Sequence, residues 1–309
     1  YAILIDPTAV SPLNGSLRLS EIMYNPIGGD QYEYVELVNS GDNLVKLNGA
    51  QFDRGINYRF GNLSLAAGER IVVPKNREAF ITRYGEEGIR LAAGQFEGRL
   101  SNGSETVSLI DANGDTVFLV DYSDDGAWPG RADGNGSSLE LVDPSLELNN
   151  PVNWNSSIRY NGTPGEEIDQ VPTVVINEVL AHSDAPLEDA IELYNAGSVE
   201  VNLGGWFLSD SGNNLKKYRI PDGTTIEARG YHVFYEKALL LDNVDSGFSL
   251  SSSRGDEVWL SESDEEGNII RFIDKVSFGP SANGVSLGRY PNGTGPLAAQ
   301  KDMSLGSPI

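Results

Sequence analysis

Five sequence blocks recur in the same order in the two halves of this 309-residue chain. "LRLSEIMYNP" (Leu17–Pro26) corresponds to "VVINEVLAHS" (Val174–Ser183), with Glu21 opposite Glu178. "YVELVNSG" corresponds to "AIELYNAG", "LNGAQF" to "LGGWFL", and "LSLAAGERIVV" to "TTIEARGYHVF". "SNGSETVSLIDANGDTV" (Ser101–Val117) corresponds to "SSRGDEVWLSESDEEGNII" (Ser252–Ile270). Such an ordered set is the duplication of a whole folding unit. The chain must therefore build one architecture twice, each copy of about 150 residues being large enough to bury its own core.

Each copy reads as short strands. "YVELVN" sets Val35 and Leu37 on one face with Glu36 and Val38 on the other, the period-2 pattern of a half-buried strand. "TVSLI" and "TVFLV" flank "DANGD", whose Asn113-Gly114 pair is a hairpin signal. Gly, Asn, Asp and Pro clusters interrupt the chain at intervals suited to an all-β sandwich. "NREAFITRYG" alone reads as a clear helix, with Asn76 as cap and Gly85 as stop. Its counterpart around "EKALLLDN" is a fainter helical signal.

The expected fold class is all-β, two tandem immunoglobulin-like β-sandwiches with an extra N-terminal strand. Residues 1–16 form a strand and tether, 17–165 the first sandwich, 166–173 an acidic linker and 174–309 the second sandwich. "YAILID" matches no part of either repeat. A lone strand is unstable. It must pair with the first sandwich, belong to an upstream domain, or complete a sheet in another molecule.

Net charge is −23, which repels a phosphate backbone and argues against nucleic acid as a partner. Cysteine is absent, excluding disulfides, thiol catalysis and Cys-based metal sites. No apolar run approaches the roughly 20 residues of a membrane-crossing helix.

The repeated blocks resemble the lamin tail domain, an immunoglobulin-like module of nuclear lamins and many bacterial secreted proteins. The resemblance is carried by "EIMYNPIGGDQYEYVELVNSG", "LNGAQF", "LAAGERIVV" and "LSNGSETVSLIDANGD" in the first copy. In the second it is carried by "NEV", "AIELYNAGSVEVNLGGWFLSD", "YRIPDGTTIEARGYHVF" and "SSRGDEVWL". "DGNGSSLELVDP", "NPVNW" and "NGTPG" close the first copy in the bacterial manner, and the second ends in an abbreviated "LGSPI". The resemblance implies an interaction module at an extracellular or cell-surface location, with no chemistry of its own.

Candidate chemistry is sparse. Asp30, Glu33 and Glu36 are close in sequence, but Glu33 and Glu36 differ in strand parity. The second copy keeps Glu192 opposite Glu36 while its other acids move to Glu188 and Asp189, a drift that a catalytic pair would not tolerate. These acids are expected on a solvated or locally hydrogen-bonded strand face. "GVSLG" (Gly284–Gly288) fits a nucleophile elbow around Ser286. Yet both histidines, His182 and His232, precede it, so a turn into a strand is expected instead.

Calcium is the metal that acidic loops would take, and Asp111, Asn113 and Asp115 have its alternating ligand spacing. The loop lacks the glycine and glutamate of the full pattern, so a plain hairpin is favoured. Trp206 is expected in the core and Trp259 on an exposed strand face. Trp128 and Trp154, in loop-like stretches, are the indoles that would stack on a glycan if exposed. No cofactor is required. The expected function is non-catalytic association with other copies or surface and matrix components. Tyr1, Ile3 and Ile5 would be donated as a strand to a neighbouring copy, forming a filament. The alternative is a calcium-dependent or glycan-binding module of a larger secreted protein.

Overall fold

The computed structural model describes residues 11–167, 172–241 and 247–308. The chain divides into two compact units, Tyr1–Asp169 and Gln170–Ile309. The first holds β1 (Leu17–Met23), β2 (Tyr34–Asn39), β3 (Val45–Lys46), β4 (Gln51–Arg54), β5 (Ile56–Arg59), β6 (Ser64–Leu65) and β7 (Arg70–Pro74). Helix α1 (Arg77–Tyr84) follows, then β8 (Glu97–Gly98), β9 (Glu105–Ile110), β10 (Thr116–Tyr122), β11 (Leu139–Leu141) and β12 (Trp154–Ser156). The second holds β13 (Val174–Leu180), β14 (Ala190–Asn195), β15 (Val201–Asn202), β16 (Phe207–Ser209), β17 (Tyr218–Arg219), β18 (Thr225–Ile226) and β19 (Tyr231–Tyr235). Helix α2 (Glu236–Leu241), β20 (Asp256–Ser263), β21 (Ile269–Phe278), β22 (Leu287–Arg289) and β23 (Leu297–Ala299) complete it.

The first unit packs a β12-β11-β1-β2-β7 sheet against a β10-β9-β4-β5-β8 sheet, with a small β3-β6 ribbon. The second repeats this plan with β19-β14-β13-β22-β23, β17-β16-β20-β21 and β15-β18. Neighbouring strands in these ladders run antiparallel. Both cores lie between the sheets. Val35 and Leu37 face one, Ile191 and Leu193 the other, and all four are fully enclosed.

The repeated "N-x-G" after β2 and β14 is a built turn. Asn39 donates from Nδ2 to the carbonyls of Asn43 (2.8 Å) and Leu65 (3.0 Å) and accepts from Gly41 N–H at 3.1 Å. Asn195 repeats this with the carbonyls of Val199 (2.7 Å) and Ile226 (3.2 Å) and with Gly197 N–H (2.9 Å). A Cβ on Gly41 would stand 2.8 Å from Ser16 Oγ, and one on Gly197 would stand 2.9 Å from Thr173 Oγ1. Glycine fits this close approach, and any side chain there would force the facing hydroxyl residue to shift.

Helix α1 forms as its signals predict: Asn76 Oδ1 accepts from Ala79 N–H at 3.0 Å, and Gly85 closes it at φ 78. "DANGD" is the expected hairpin turn, with Asp111 accepting from Asn113 and Asp115 N–H. Trp206 is in the core, as expected. Trp259 is not an exposed strand residue: it is buried against Phe272, with Lys275 over its ring. Phe272, the Lys275 side chain and the backbone at Gly212 lie against its ring.

Truncating a sandwich core leaves a cavity that costs about 2–5 kcal/mol. Leu37→Ala should destabilise the first unit by that amount, and Leu193→Ala the second. Peptide-resolved hydrogen exchange should show each loss confined to its own unit.

Candidate functional site

The repeated glutamates do not face water, and this corrects the expectation drawn from alternation. Glu21, Glu36, Glu178 and Glu192 are each at most 2% exposed. A bulge explains their placement. Between Leu19 and Glu21 the β1–β2 register slips, and it slips again between Ile176 and Glu178 in β13–β14. One extra residue reverses strand parity. Leu19 and Ile22 can then both face the core, while Glu21 pairs across the ladder with Glu36 on the outer face. Glu178 and Glu192 form the same pair.

What covers this outer face is the segment that ends each unit. Glu21 Oε1 accepts from Thr163 N–H at 2.9 Å, and Glu36 Oε2 from Gly165 N–H at 2.6 Å. In the second unit Glu178 Oε1 accepts from Ser304 N–H at 3.1 Å, and Glu192 Oε2 from Gly306 N–H at 2.5 Å. "TPG" and "SLG" are thus held in the same way by two carboxylates on adjacent strands. The abbreviated ending of the second copy keeps its latch.

The bulge residue braces each latch. Ser20 Oγ donates to Glu36 Oε1 at 2.7 Å, and Asn177 Nδ2 donates to Glu192 Oε1 at 2.9 Å. The first unit adds further partners. Tyr34 Oη and Ser138 Oγ both donate to Glu21 Oε1, at 2.6 and 2.5 Å. Thr163 Oγ1 donates to Glu140, and Arg70 pairs with Glu36 at 2.6 Å. Burial, then the neighbouring Glu140 and Glu36, push the Glu21 carboxyl well above its usual range. Burial also raises Glu36, with Arg70 opposing. Glu192 is pushed up to about 7, chiefly by burial, and its two hydrogen bonds oppose the shift.

Glu33 is buried elsewhere, accepting from Leu100 N–H at 2.9 Å, and burial raises it to about 7. Its surroundings are not those of Glu36, so the two acids do not converge on one reacting centre. Ser286 is buried and leads into β22 rather than into a helix, so no nucleophile elbow forms. His182 Nδ1 lies 3.1 Å from the Ser281 carbonyl, and His232 packs at 4.6 Å on Phe234.

Asp111 spends one carboxylate oxygen on its own turn, while Asn113 is exposed and Asp115 half-buried beside it. Among the described residues no three acids or histidines converge as a metal site. Trp154 is enclosed and donates to the Leu148 carbonyl at 2.8 Å, so its face is not open to a sugar ring. Trp128, half-buried, packs on it at 6.1 Å. Tyr1, Ile3 and Ile5 lie outside the described residues.

The outer faces of the two units also differ in their apolar cover. In the first, Met23, Tyr34 and Val72 are covered by Phe80 of α1, with Tyr84, Ile89 and Leu91 around them. Tyr34 meets the rings of Phe80 and Tyr84 edge-on, at 5.6 and 5.7 Å. In the second, Leu180 stands in the place of Met23 and Ala190 in that of Tyr34. There the face opens as a groove of about 740 Å³, lined by Leu180, Leu187, Tyr235, Ala238, Met303 and Leu305.

A family profile for the Lamin Tail Domain matches residues 11–124 and again 168–279. The chain belongs to the lamin tail domain family. The matched spans hold both bulges, all four latch glutamates and both "N-x-G" turns, but stop short of the segments that the glutamates hold. No curated protein matches the chain. Among solved structures it is similar to the Amycolatopsis orientalis exo-chitosanase CsxA at 12% identity, over 86% of this chain and 26% of that one. The TM-score is 0.20, too low to support any argument about fold or activity. Among the described residues no helix is long and apolar enough to cross a membrane.

Removing a latch leaves buried donors without acceptors. Glu36→Ala also strands Arg70, so a loss of about 3–5 kcal/mol is expected in urea unfolding. The raised carboxyls set a pH dependence. Glu33 and Glu192 have folded values of about 7 against an ordinary 4.5, so the folded state binds more protons between those limits. Their stabilisation is complete below about pH 4.5 and is lost as pH rises through about 7. The melting temperature should fall from pH 5 to pH 8, and Glu192→Gln should flatten that fall in the second unit.

Proposed function

We propose that this chain is a non-catalytic structural or adhesive protein, acting outside the cell through association with other protein surfaces. The observation that carries this reading is the commitment of the repeated carboxylates. Each latch glutamate is enclosed and hydrogen-bonded to its own chain, leaving no free acid–base pair in the motif that defines the repeat. What the molecule offers to others is surface: sheet edges, loops and, among the described residues, an open apolar face. Lamin tail domains as a family suit such a role.

Copies associate, in this reading, through the segment that neither repeat accounts for. "YAILI" alternates Tyr1, Ile3 and Ile5 on one side, the pattern of a strand that inserts beside a sheet edge. Donor and acceptor on different parts of one chain make a heterologous contact, which propagates head to tail rather than closing as a pair. Light scattering and electron microscopy of the full chain should show oligomers that lengthen with concentration. Removing residues 1–10 should leave monomers; an unchanged size distribution would overturn the reading.

A further inference from the structure

We infer that the groove on the outer face of the second unit is the acceptor for residues Tyr1–Ile5 of a second copy. The inference rests on the association reading above and adds where the donated segment lands. Two leftovers meet in it: a sequence segment without a place in the repeat, and a face that one repeat fills and the other does not.

Comparison of the two units says what the groove lacks. On the first unit the same sheet face is closed by aromatic rings, Phe80 and Tyr84 of α1 against Tyr34. On the second, α2 begins directly at the end of β19 and sends Leu239 into the sandwich core. With Ala190 in place of Tyr34, the ring that meets Phe80 and Tyr84 in the first unit has no counterpart at that position, and Tyr235 stands beside the gap. Leu187, Tyr235 and Met303 are left 42%, 47% and 40% exposed around one hollow. Scattered exposed apolar residues are ordinary, but three converging on a concave site mark a contact surface.

The adjoining edge is suited to a strand. In the first unit Val72 of β7 is edge-bonded by a following segment, Val72 N–H to the Arg90 carbonyl (3.0 Å) and Ala92 N–H to the Val72 carbonyl (2.8 Å). Glu36 pairs with Val72 and Glu192 with Val233, so Val233 of β19 turns the same groups outward. Among the described residues no segment bonds to them.

The donor has matching chemistry. Laid along β19, alternate side chains of "YAILI" fall about 7 Å apart on one side. Tyr1, Ile3 and Ile5 enter the groove, with an aromatic ring supplied where the first unit has its own. Asp6 follows at a rim that holds both Lys237 and Glu188, so charge neither favours nor opposes it there. The first unit cannot serve as acceptor, because α1 already occupies its equivalent face. The chain also leaves residues 1–10 from Ser11 and Leu13, which are anchored in that first unit.

The test uses chains that span residues 1–309. A donor-dead chain, Ile3→Asp with Ile5→Asp, should be monomeric and should bind a fluorescent peptide of residues 1–10. Adding Leu187→Glu and Met303→Glu should weaken peptide binding about tenfold or more, with circular dichroism unchanged because both side chains are at the surface. Ala238→Phe, which fills the groove instead of charging it, should do the same. The Ile3→Asp peptide should fail to bind the unaltered groove. Undiminished binding to both groove variants would overturn the inference while leaving association through residues 1–10 standing. Assembly that persists in the donor-dead chain would overturn the association reading itself. A full chain that stays monomeric at every concentration, while its donor-dead form binds peptide, would mean that the segment closes on its own chain, and the second-copy assignment would fall.

Discussion

A carboxylate in an apolar interior is costly unless donors surround it, and each unit is organised around that requirement. The pair on the outer sheet face cannot be hydrated, because the face is covered, so it must be met by fixed N–H groups. The terminal segment supplies them and is thereby fastened across the strands. Fold and latch depend on each other: the strands bury the acids only because the tail lies over them, and the tail lies there because the acids hold it. Main-chain donors are common to both latches, so "TPG" and "SLG" serve alike although Pro164 and Leu305 differ, and the Ser304 hydroxyl adds a bond to Glu178 at 2.6 Å.

The copies have diverged in a way that preserves this balance. The first unit adds a third acid, Glu140, opposite Glu21, and a cation, Arg70, opposite Val38. The second has Gly288 and Tyr231 at those places. One acid and one base differ together, so the burden of buried charge stays compensated in both. In the second unit neutral groups take over the bracing: Asn177 donates to Glu192 and to Asn292, and Asn292 donates to Tyr231. With Ala190 replacing Tyr34, the ring that meets Phe80 and Tyr84 in the first unit has no counterpart. The same substitutions that simplify the latch expose the groove.

Much of the fold was legible in the sequence. The ordered blocks gave the duplication, "DANGD" the hairpin, Asn76 and Gly85 the helix ends, and Val35, Leu37, Ile191 and Leu193 the core. The site was not legible, for two physical reasons. Strict alternation fails at a bulge, and no residue type marks one, since Ser20 and Asn177 occupy it equally well. Alternation also says which residues share a face without saying whether that face is wet. Burial of Glu36 is decided by Gly165, 129 residues away, through a main-chain bond that leaves no side-chain signature. The indoles misled for a similar reason: Trp154 sits among loop-forming residues, yet its N–H is satisfied by a carbonyl in the interior. A signal was present in the shared Thr/Ser-x-Gly endings, visible only once both were known to meet the same pair of acids.

The charge of the chain narrows how such a molecule can associate. At −23 two copies repel at long range, and pressing broad acidic faces together would concentrate that repulsion. Burying the latch carboxylates hides some of these acids, and burial raises the proton affinity of Glu21, Glu36 and Glu192, but most of the acidic residues remain at the surface. An uncharged five-residue segment, "YAILI", entering an apolar groove brings little of the opposing charge into contact. It also draws on main-chain bonds and apolar burial, neither of which salt screens appreciably. For an acidic tandem sandwich, narrow apolar insertion is therefore a better route to assembly than face-to-face packing.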